Sequence, residues 1–370
     1  MNYDNCTYIS WDKYEESPEI QIANGDILLV KTGSSFGKCA YVCNLPQNAT
    51  INPQFVVLKY VLCNPRFLTY ILQSGYARRN YDEFVLGTAI PTFTQVVLGD
   101  MYIPLPSIQE QQRIVNAIEQ WFALIDKLET AKEDLQTSIT QAKSKILDLA
   151  IHGKLVPQDP SDEPAIELLK RINPKFVPCD NAHYPYQLPK GWCWTSLETI
   201  STDSADGPFG SNLKKEHYTK KQEVRIIQLS NIGESGWREE NTKYTTFEHL
   251  QKIARSEVFP DDIVIAKMMP AGRAILCPNH ERKYVLSSDA VKFHVIKGID
   301  FRYILNAINS DMFKQQVYEN VQGVTRVRTS LQKLRKYYLP IPPQLEQFRI
   351  VSKIGELYAV LDRIEEFTKD

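Results

Sequence analysis

Apolar positions recur through residues 115–149 with helical spacing. Val115, Ile118, Phe122, Ile125, Leu128, Ala131, Leu135, Ile139, Ala142, Ile146 and Leu149 follow at intervals of three or four, and Glu, Gln, Lys, Asp and Thr fill the other faces. A stripe sustained over several heptads predicts a long amphipathic helix that needs a partner. Neither Gly nor Pro interrupts Gln109 to Ile151, and Gly153 stands where such a helix stops. At 1.5 Å per residue it would run roughly 65 Å. A second stripe, Val351, Ile354, Leu357, Leu361 and Ile364, is the expected partner, long enough to cover only part of the first. Taken alone, the pattern is that of a bundle helix or coiled-coil strut.

Elsewhere the chain mixes short elements. Ile27–Val30, Phe55–Leu58, Ile263–Ala266 and Ala290–Val295 are apolar runs typical of buried strands, and Phe67–Leu72 and Phe301–Ile308 read as short helices. This is α+β patterning, without the βαβ series and Gly-rich turn of a Rossmann nucleotide site. Residues 154–187 form a connector punctuated by Pro157, Pro160, Pro164, Pro174, Pro178 and Pro185. Within it, Ser161-Asp162-Glu163-Pro164 opens a short helix, Ala165–Ile172.

The chain also repeats itself. Residues 87–129 align without a gap on residues 323–365 at an offset of 236, with fourteen of 43 positions identical. The densest part sets Tyr102-Ile103-Pro104-Leu105-Pro106 and Glu110-Gln111 against Tyr338-Leu339-Pro340-Ile341-Pro342 and Glu346-Gln347. Upstream, Gly25–Lys31 matches Asp261–Lys267, and a one-residue gap brings Gly37-Lys38 onto Gly272-Arg273. The unit is far longer than a solenoid repeat, so it reads as two copies of a whole domain, each followed by a helix. Residues 188–236, 49 in all, have no counterpart in copy one. The expected division is a first domain over 1–106, incomplete at its N-terminus, a central helix over 107–153, the connector over 154–187, a second domain over 188–342 and a C-terminal helix over 343–370.

Charge matters locally rather than globally. Lys+Arg is 43 against Asp+Glu 44, a net charge of −1, which excludes a globally basic protein but not a basic face. Gly207-Pro208-Phe209-Gly210 leads into Ser211, Asn212, Lys214 and Lys215, followed by Lys220, Lys221 and Arg225. Thr325, Arg326, Arg328, Ser330, Lys333, Arg335 and Lys336 form a second stretch without an acid. Lys267 and Arg273, after the apolar run Ile263–Ala266, are further candidates. Lysines neutralise phosphates, arginine reads guanine, and hydroxyls and amides reach phosphates or base edges. A single lysine is more often a solvated residue, but two such clusters in one domain point to DNA. Copy one offers Lys31, Thr32, Ser34, Ser35 and Lys38 in the matching first loop and Thr88, Thr92 and Thr94 in the matching second.

Other chemistry is poorly represented. Asn52-Pro53-Gln54-Phe55 and Asn173-Pro174-Lys175-Phe176 miss the third-position Pro of an amino-methyltransferase motif, and turn chemistry explains them. No phosphate-binding loop is present. Cys39, Cys43 and Cys63, or Cys277 and His280, never reach four ligands at zinc-finger spacing. The histidines have no nucleophile partner in sequence, and Trp192 and Trp194 suit core anchors. Seven cysteines suggest free thiols in a reducing cytoplasm, and no apolar run reaches a membrane span.

Two variable α+β domains, each closed by Pro-x-Pro, Glu-Gln and an Ile-Val-led helix, resemble the specificity subunit of type I restriction–modification enzymes. His152–Gln158 with Glu163–Leu169, Leu188–Trp194 and Gly207–Ser211 are similar to recurring stretches of that family. The resemblance covers essentially the whole chain. It implies two target recognition domains in tandem repeat, joined by long helices forming an antiparallel coiled coil. Each domain would read half of a split target on double-stranded DNA, and the helices would set the unread spacer, so changes within Lys132–Lys145 would alter it. It further implies a non-catalytic chain that docks two methyltransferase subunits holding S-adenosylmethionine and works with restriction subunits using ATP and Mg. The departures are the missing 49 residues, including any match to Gly207–Lys215, and a second helix about 20 residues shorter than the first. Two other readings are a helical adaptor with duplicated protein-binding modules and a methyltransferase acting alone, the latter opposed by the missing cofactor loop. The bases read and the spacer length are not legible, because readout depends on groove geometry and DNA deformability.

Overall fold

The computed structural model describes residues 3, 6–83, 92, 98–178, 186–278, 282–319 and 328–368, apart from the side chain of Ser211. Contacts divide the chain into two compact units, Met1–Ala131 and Lys132–Asp370.

In the first unit, β1 (Ile27–Val30) pairs antiparallel with β2 (Cys39–Tyr41) on one side and β3 (Phe55–Leu58) on the other. Ile27 and Leu29 face a core with Phe36, Leu72, Ala77 and Tyr81, whereas Leu28 faces Ile22 and Val42. Both faces are covered, which is why β1 is continuously apolar rather than alternating. Two helices follow, α1 (Pro65–Gln73) and α2 (Gly75–Glu83). Asn64 caps α1 by accepting from the N–H groups of Arg66 and Phe67, with Pro65 in the first turn.

Helix α3 (Ile108–Ile151) begins in the first unit and ends in the second. The connector contributes α4 (Ala165–Ile172). The strands of the second unit used below are β4 (Cys193–Ser196), β5 (Ser201–Asp206), β6 (Val224–Ile227), β7 (Ile263–Ala266), β8 (Ala274–Leu276), β9 (Lys283–Leu286), β10 (Ala290–Val295) and β11 (Tyr338–Ile341). One four-stranded sheet runs β8-β7-β10-β5; the other holds β6 and β9 in parallel, flanked by Tyr244–Thr245 and Glu257–Val258. Strands β4 and β11 form an antiparallel pair. The remaining helices are α5 (Phe247–Lys252), α6 (Phe301–Ile308), α7 (Asp311–Glu319), α8 (Leu331–Lys336) and α9 (Gln344–Glu366).

The repeat survives at atomic detail. Ile27 faces Leu58 and Val30 faces Phe55 in one unit; Ile263 faces Phe293 and Ala266 faces Ala290 in the other. Gly37 and Gly272, at φ 78° and 85°, donate their N–H to Val30 O and Ala266 O, both at 2.9 Å. Gln111 accepts from Asn64 N–H and donates to Pro106 O, each at 2.8 Å. Gln347 accepts from Asp300 N–H at 2.8 Å and donates to Pro342 O at 3.0 Å. All four partners sit at the 236-residue offset, so the Gln of each Glu-Gln pair ties a domain to the start of its helix.

The C-terminal part of α3 packs along α9. Lys143 bonds Asp362 at 2.7 Å and Glu365 at 3.1 Å, and Tyr358 Oη donates to Lys143 O at 3.1 Å. Leu147, Ala150 and Ile151 share a core with Ile350 and Ile354, so the pair runs antiparallel. Residues 120–138 of α3 are exposed on every face, including Phe122, Ile125 and Leu128 of the stripe.

Candidate nucleic-acid interface

In the second unit three loops converge on Lys267, at the end of β7. Its Nζ bonds Asp206 Oδ1 at 2.7 Å, at the end of β5, and lies 4.5 Å from the centre of the Phe209 ring. Its carbonyl accepts the N–H of Thr329 at 2.9 Å, and the next residue, Met268, bridges to Arg328. One residue therefore joins three segments: its ammonium holds the loop after Asp206, its backbone holds Arg328–Ser330, and the chain runs on from it towards Arg273. Gly207 permits this convergence: a Cβ there would sit 1.7 Å from Ser287 O.

Two histidines hold the first loop. The rings of His217 and His249 stack at 4.0 Å. Lys214 N–H donates to His217 Nδ1 at 3.0 Å, and His249 Nε2 lies 2.7 Å from Asn212 O. A carbonyl only accepts and an amide N–H only donates, so His249 carries a proton on Nε2 while Nδ1 of His217 is free of one. Asn212, Lys214 and Lys215 are left exposed around this pin.

The predicted residues fall into different places. Arg328 and Ser330 are exposed, and Arg273 and Lys333 are half-buried. Lys267 requires correction: at 1% exposure it does not reach a phosphate, and it organises the loops instead. Arg225 is also buried, donating to Glu240 O at 2.9 Å, with Trp237 and Tyr244 ring centres 5.8 Å away. Arg335 is committed to Ser204 Oγ at 2.8 Å. The second basic stretch is not all loop, since residues 331–336 form α8. Ser330 accepts from Lys333 N–H, and Leu331 and Leu334 bury one face. Thr325 and Arg326, like Thr88 and Thr94, lie outside the described residues.

In the first unit Lys38 and Ser34 are exposed, and Lys31, Thr32 and Ser35 are half-buried. Thr32 bridges to Thr92, with their hydroxyls 3.1 Å apart. This is the counterpart of the Met268–Arg328 bridge, so the same loop junction presents a hydroxyl in one unit and a guanidinium in the other.

Sequence reasoning gave no loop-holding role to the two histidines, Asp206 or Phe209; the first three are half-buried and Phe209 is exposed. The Asn-Pro segments are turns: Asn52 Oδ1 accepts from Gln54 N–H at 2.9 Å and Asn173 Oδ1 from Lys175 N–H at 3.1 Å. Burial pushes the Cys39 and Cys277 thiols up to about 12, which disfavours the thiolate a metal would bind. Among the described residues no group of His, Cys, Asp and Glu is placed to hold a metal, and no helix is long and apolar enough to cross a membrane. His280 is not among them.

The model of one protein family, the type I restriction modification DNA specificity domain, matches residues 5–137 and again 210–370. The chain belongs to that family. The two matches are the two units' worth of repeat seen above. The specificity subunit of the type I restriction enzyme EcoEI from Escherichia coli is 25% identical over 282 residues, spanning 70% of this chain and 47% of that protein. The EcoAI specificity subunit, from the same species, is 27% identical over 94% of this chain and 69% of its own length. The chain thus spans about half to two thirds of these specificity subunits. A solved structure from work on assembly and conformational transition of the type I R-M system shares the fold, with a TM-score of 0.63 at 17% identity, over 94% of this chain and 78% of that one. The HsdS subunit from Thermoanaerobacter tengcongensis gives 0.51 at 17% identity over the same shares.

Proposed function

We propose that this specificity-domain protein is the non-catalytic, DNA-reading subunit of a type I restriction–modification assembly. One observation carries the reading: three loops of the second unit are gathered on Lys267 while Asn212, Lys214, Lys215 and Arg328 stay exposed around it. Exposed lysines neutralise phosphates and register the protein on the duplex, and an arginine beside them discriminates bases. Ser330, Lys333 and Arg273, with Ser211 by its sequence position in the first loop, complete the set; in the first unit Lys38 and Thr92 stand at the positions of Arg273 and Arg328, and Lys31, Thr32, Ser34 and Ser35 are the other candidates. The partners are double-stranded DNA, two methyltransferase subunits that hold S-adenosylmethionine and dock on the long helices, and restriction subunits that use ATP and Mg. The cytoplasm, where cysteines stay reduced, is its compartment.

The test is selection from random duplex DNA with the methyltransferase subunits present. A fixed bipartite sequence with a constant unread gap is expected among the retained DNAs. Retention without any shared sequence would refute sequence reading and favour an adaptor role.

A further inference from the structure

We propose that the first loop of the second unit reads one A·T base pair from the major groove, with Asn212 bound to the adenine and the Phe209 ring against the 5-methyl group of its thymine. The proposal rests on the DNA-reading function above and names what that loop reads.

Phe209 and Asn212 are the two ends of a single tight turn. Asn212 N–H donates to the Phe209 carbonyl at 3.1 Å, and Gly210, at φ 55°, supplies the left-handed backbone between them. Such a turn keeps its end Cα atoms within about 7 Å. Each end is fixed to a different part of the unit. The Lys267 ammonium, itself held by Asp206 at 2.7 Å, lies 4.5 Å from the centre of the Phe209 ring. His249 Nε2 holds the Asn212 carbonyl at 2.7 Å. Both side chains therefore leave a backbone that is set before DNA arrives, as a specific contact requires.

Their exposure is selective. Leu213, the next residue, packs inward with Tyr218 against the core of Val224 and Leu250, whereas Phe209 is 52% exposed and Asn212 is exposed beside it. A lone exposed phenyl ring needs no explanation. This one shares its turn with a carboxamide and is followed by the exposed Lys214 and Lys215, whose charges suit phosphates. The major-groove edge of an A·T pair carries an acceptor and a donor on adenine and a methyl group on thymine. A carboxamide offers the complementary donor and acceptor, and a phenyl ring packs on the methyl. The minor-groove edge of the same pair shows acceptors alone and no methyl. The other use of an apolar side chain on DNA is as a wedge between base steps. A ring used that way needs both faces bare, and one face of Phe209 already lies over the Lys267 ammonium.

The test uses the assembly with its methyltransferase subunits. Selection from random duplex DNA first gives the half-sites, and replacing each thymine in turn by deoxyuridine then removes one methyl at a time. At one thymine the wild type should lose about fourfold in affinity, the worth of a buried methyl group, and Phe209→Ala should lose nothing. Asn212→Ala should lose about tenfold of discrimination at the adenine of that same pair. Asn212 is exposed, so N212A keeps the test decisive should F209A fail to fold. Equal deoxyuridine penalties in wild type and F209A, an N212A assembly that keeps every preference or relaxes a G·C pair, or a methyl dependence at a different pair would each overturn the proposal and leave DNA reading intact. A rise in 2-aminopurine fluorescence at one base step that F209A abolishes would make the ring a wedge and overturn it as well. A wild-type assembly that selects no fixed sequence would overturn the DNA-reading function itself.

Discussion

Lys267 and Arg328 are both basic residues of the same loop junction, yet the structure gives them opposite work. Lys267 lies inside, with its charge met by Asp206 and its carbonyl engaged by Thr329. Removing one partner of a buried pair leaves the other uncompensated, so Lys267→Met should lower unfolding stability by about 2 kcal/mol, moderated by the partial exposure of Asp206. DNA affinity should fall as well, because the loop after Asp206 loses its anchor although the Thr329 bond to the backbone of residue 267 is kept, while the salt dependence of whatever binding remains keeps its slope. Arg328→Ala should leave stability within about 0.5 kcal/mol and flatten the salt slope by about one ion. Chemical denaturation and binding titrations at several salt concentrations separate the two. Equal slopes for both variants would place Arg328 off the DNA. Burial is the property the sequence did not disclose: a lysine between two loops reads as surface, and its partner stands 61 residues away. Arg225 misled for the same reason, and the His217–His249 stack leaves no local pattern at all.

At the level of elements, the strands were the most legible part. Ile27–Val30 and Ile263–Ala266 are covered on both faces, and unbroken apolar runs of four are what that environment selects. Helix α8 was obscured by its basic residues, although Ser330 with Leu331 and Leu334 three apart was the available signal. The start of α9 makes a testable case of its own. Burial raises the Glu346 carboxyl above its ordinary 4.5; the Trp192 N–H and Arg349 oppose the shift and Asp162 adds to it. A carboxyl whose pKa is raised on folding binds more protons in the folded state between the two values, so it stabilises below 4.5 and that contribution is lost as pH rises through the folded pKa. Glu346→Gln removes the ionisation and keeps an acceptor for the indole. The variant should gain on the wild type as pH climbs from about 4 to 7, measured by urea unfolding. A stability gap that does not change with pH would mean that folding leaves the Glu346 carboxyl at its ordinary pKa.

For the molecule as a whole, the repeat and the helix between its copies decide what kind of change is informative. The 236-residue offset links hydrogen bonds, bridges and caps in the two units, so under the proposed function specificity differences would reside in what each copy presents at matching junctions, such as Thr92 against Arg328. Helix α3 is different in kind: residues 120–138 touch nothing else in the chain closely enough to be buried, and its contacts with α9 begin near Lys143. Length can therefore be altered between Glu133 and Asp134 without disturbing either core. Seven added residues extend a helix by about 10 Å and rotate it by only about 20°. At roughly 3.4 Å per base pair this corresponds to about three more unread base pairs. Methylation mapping of DNA modified by an assembly containing this variant should return the original half-sites with the longer gap. A variant that keeps the original gap would remove α3 as the measure of the spacer. One that alters the half-sites themselves would show that the helix also shapes the reading loops, against the separation of cores that places the insertion there.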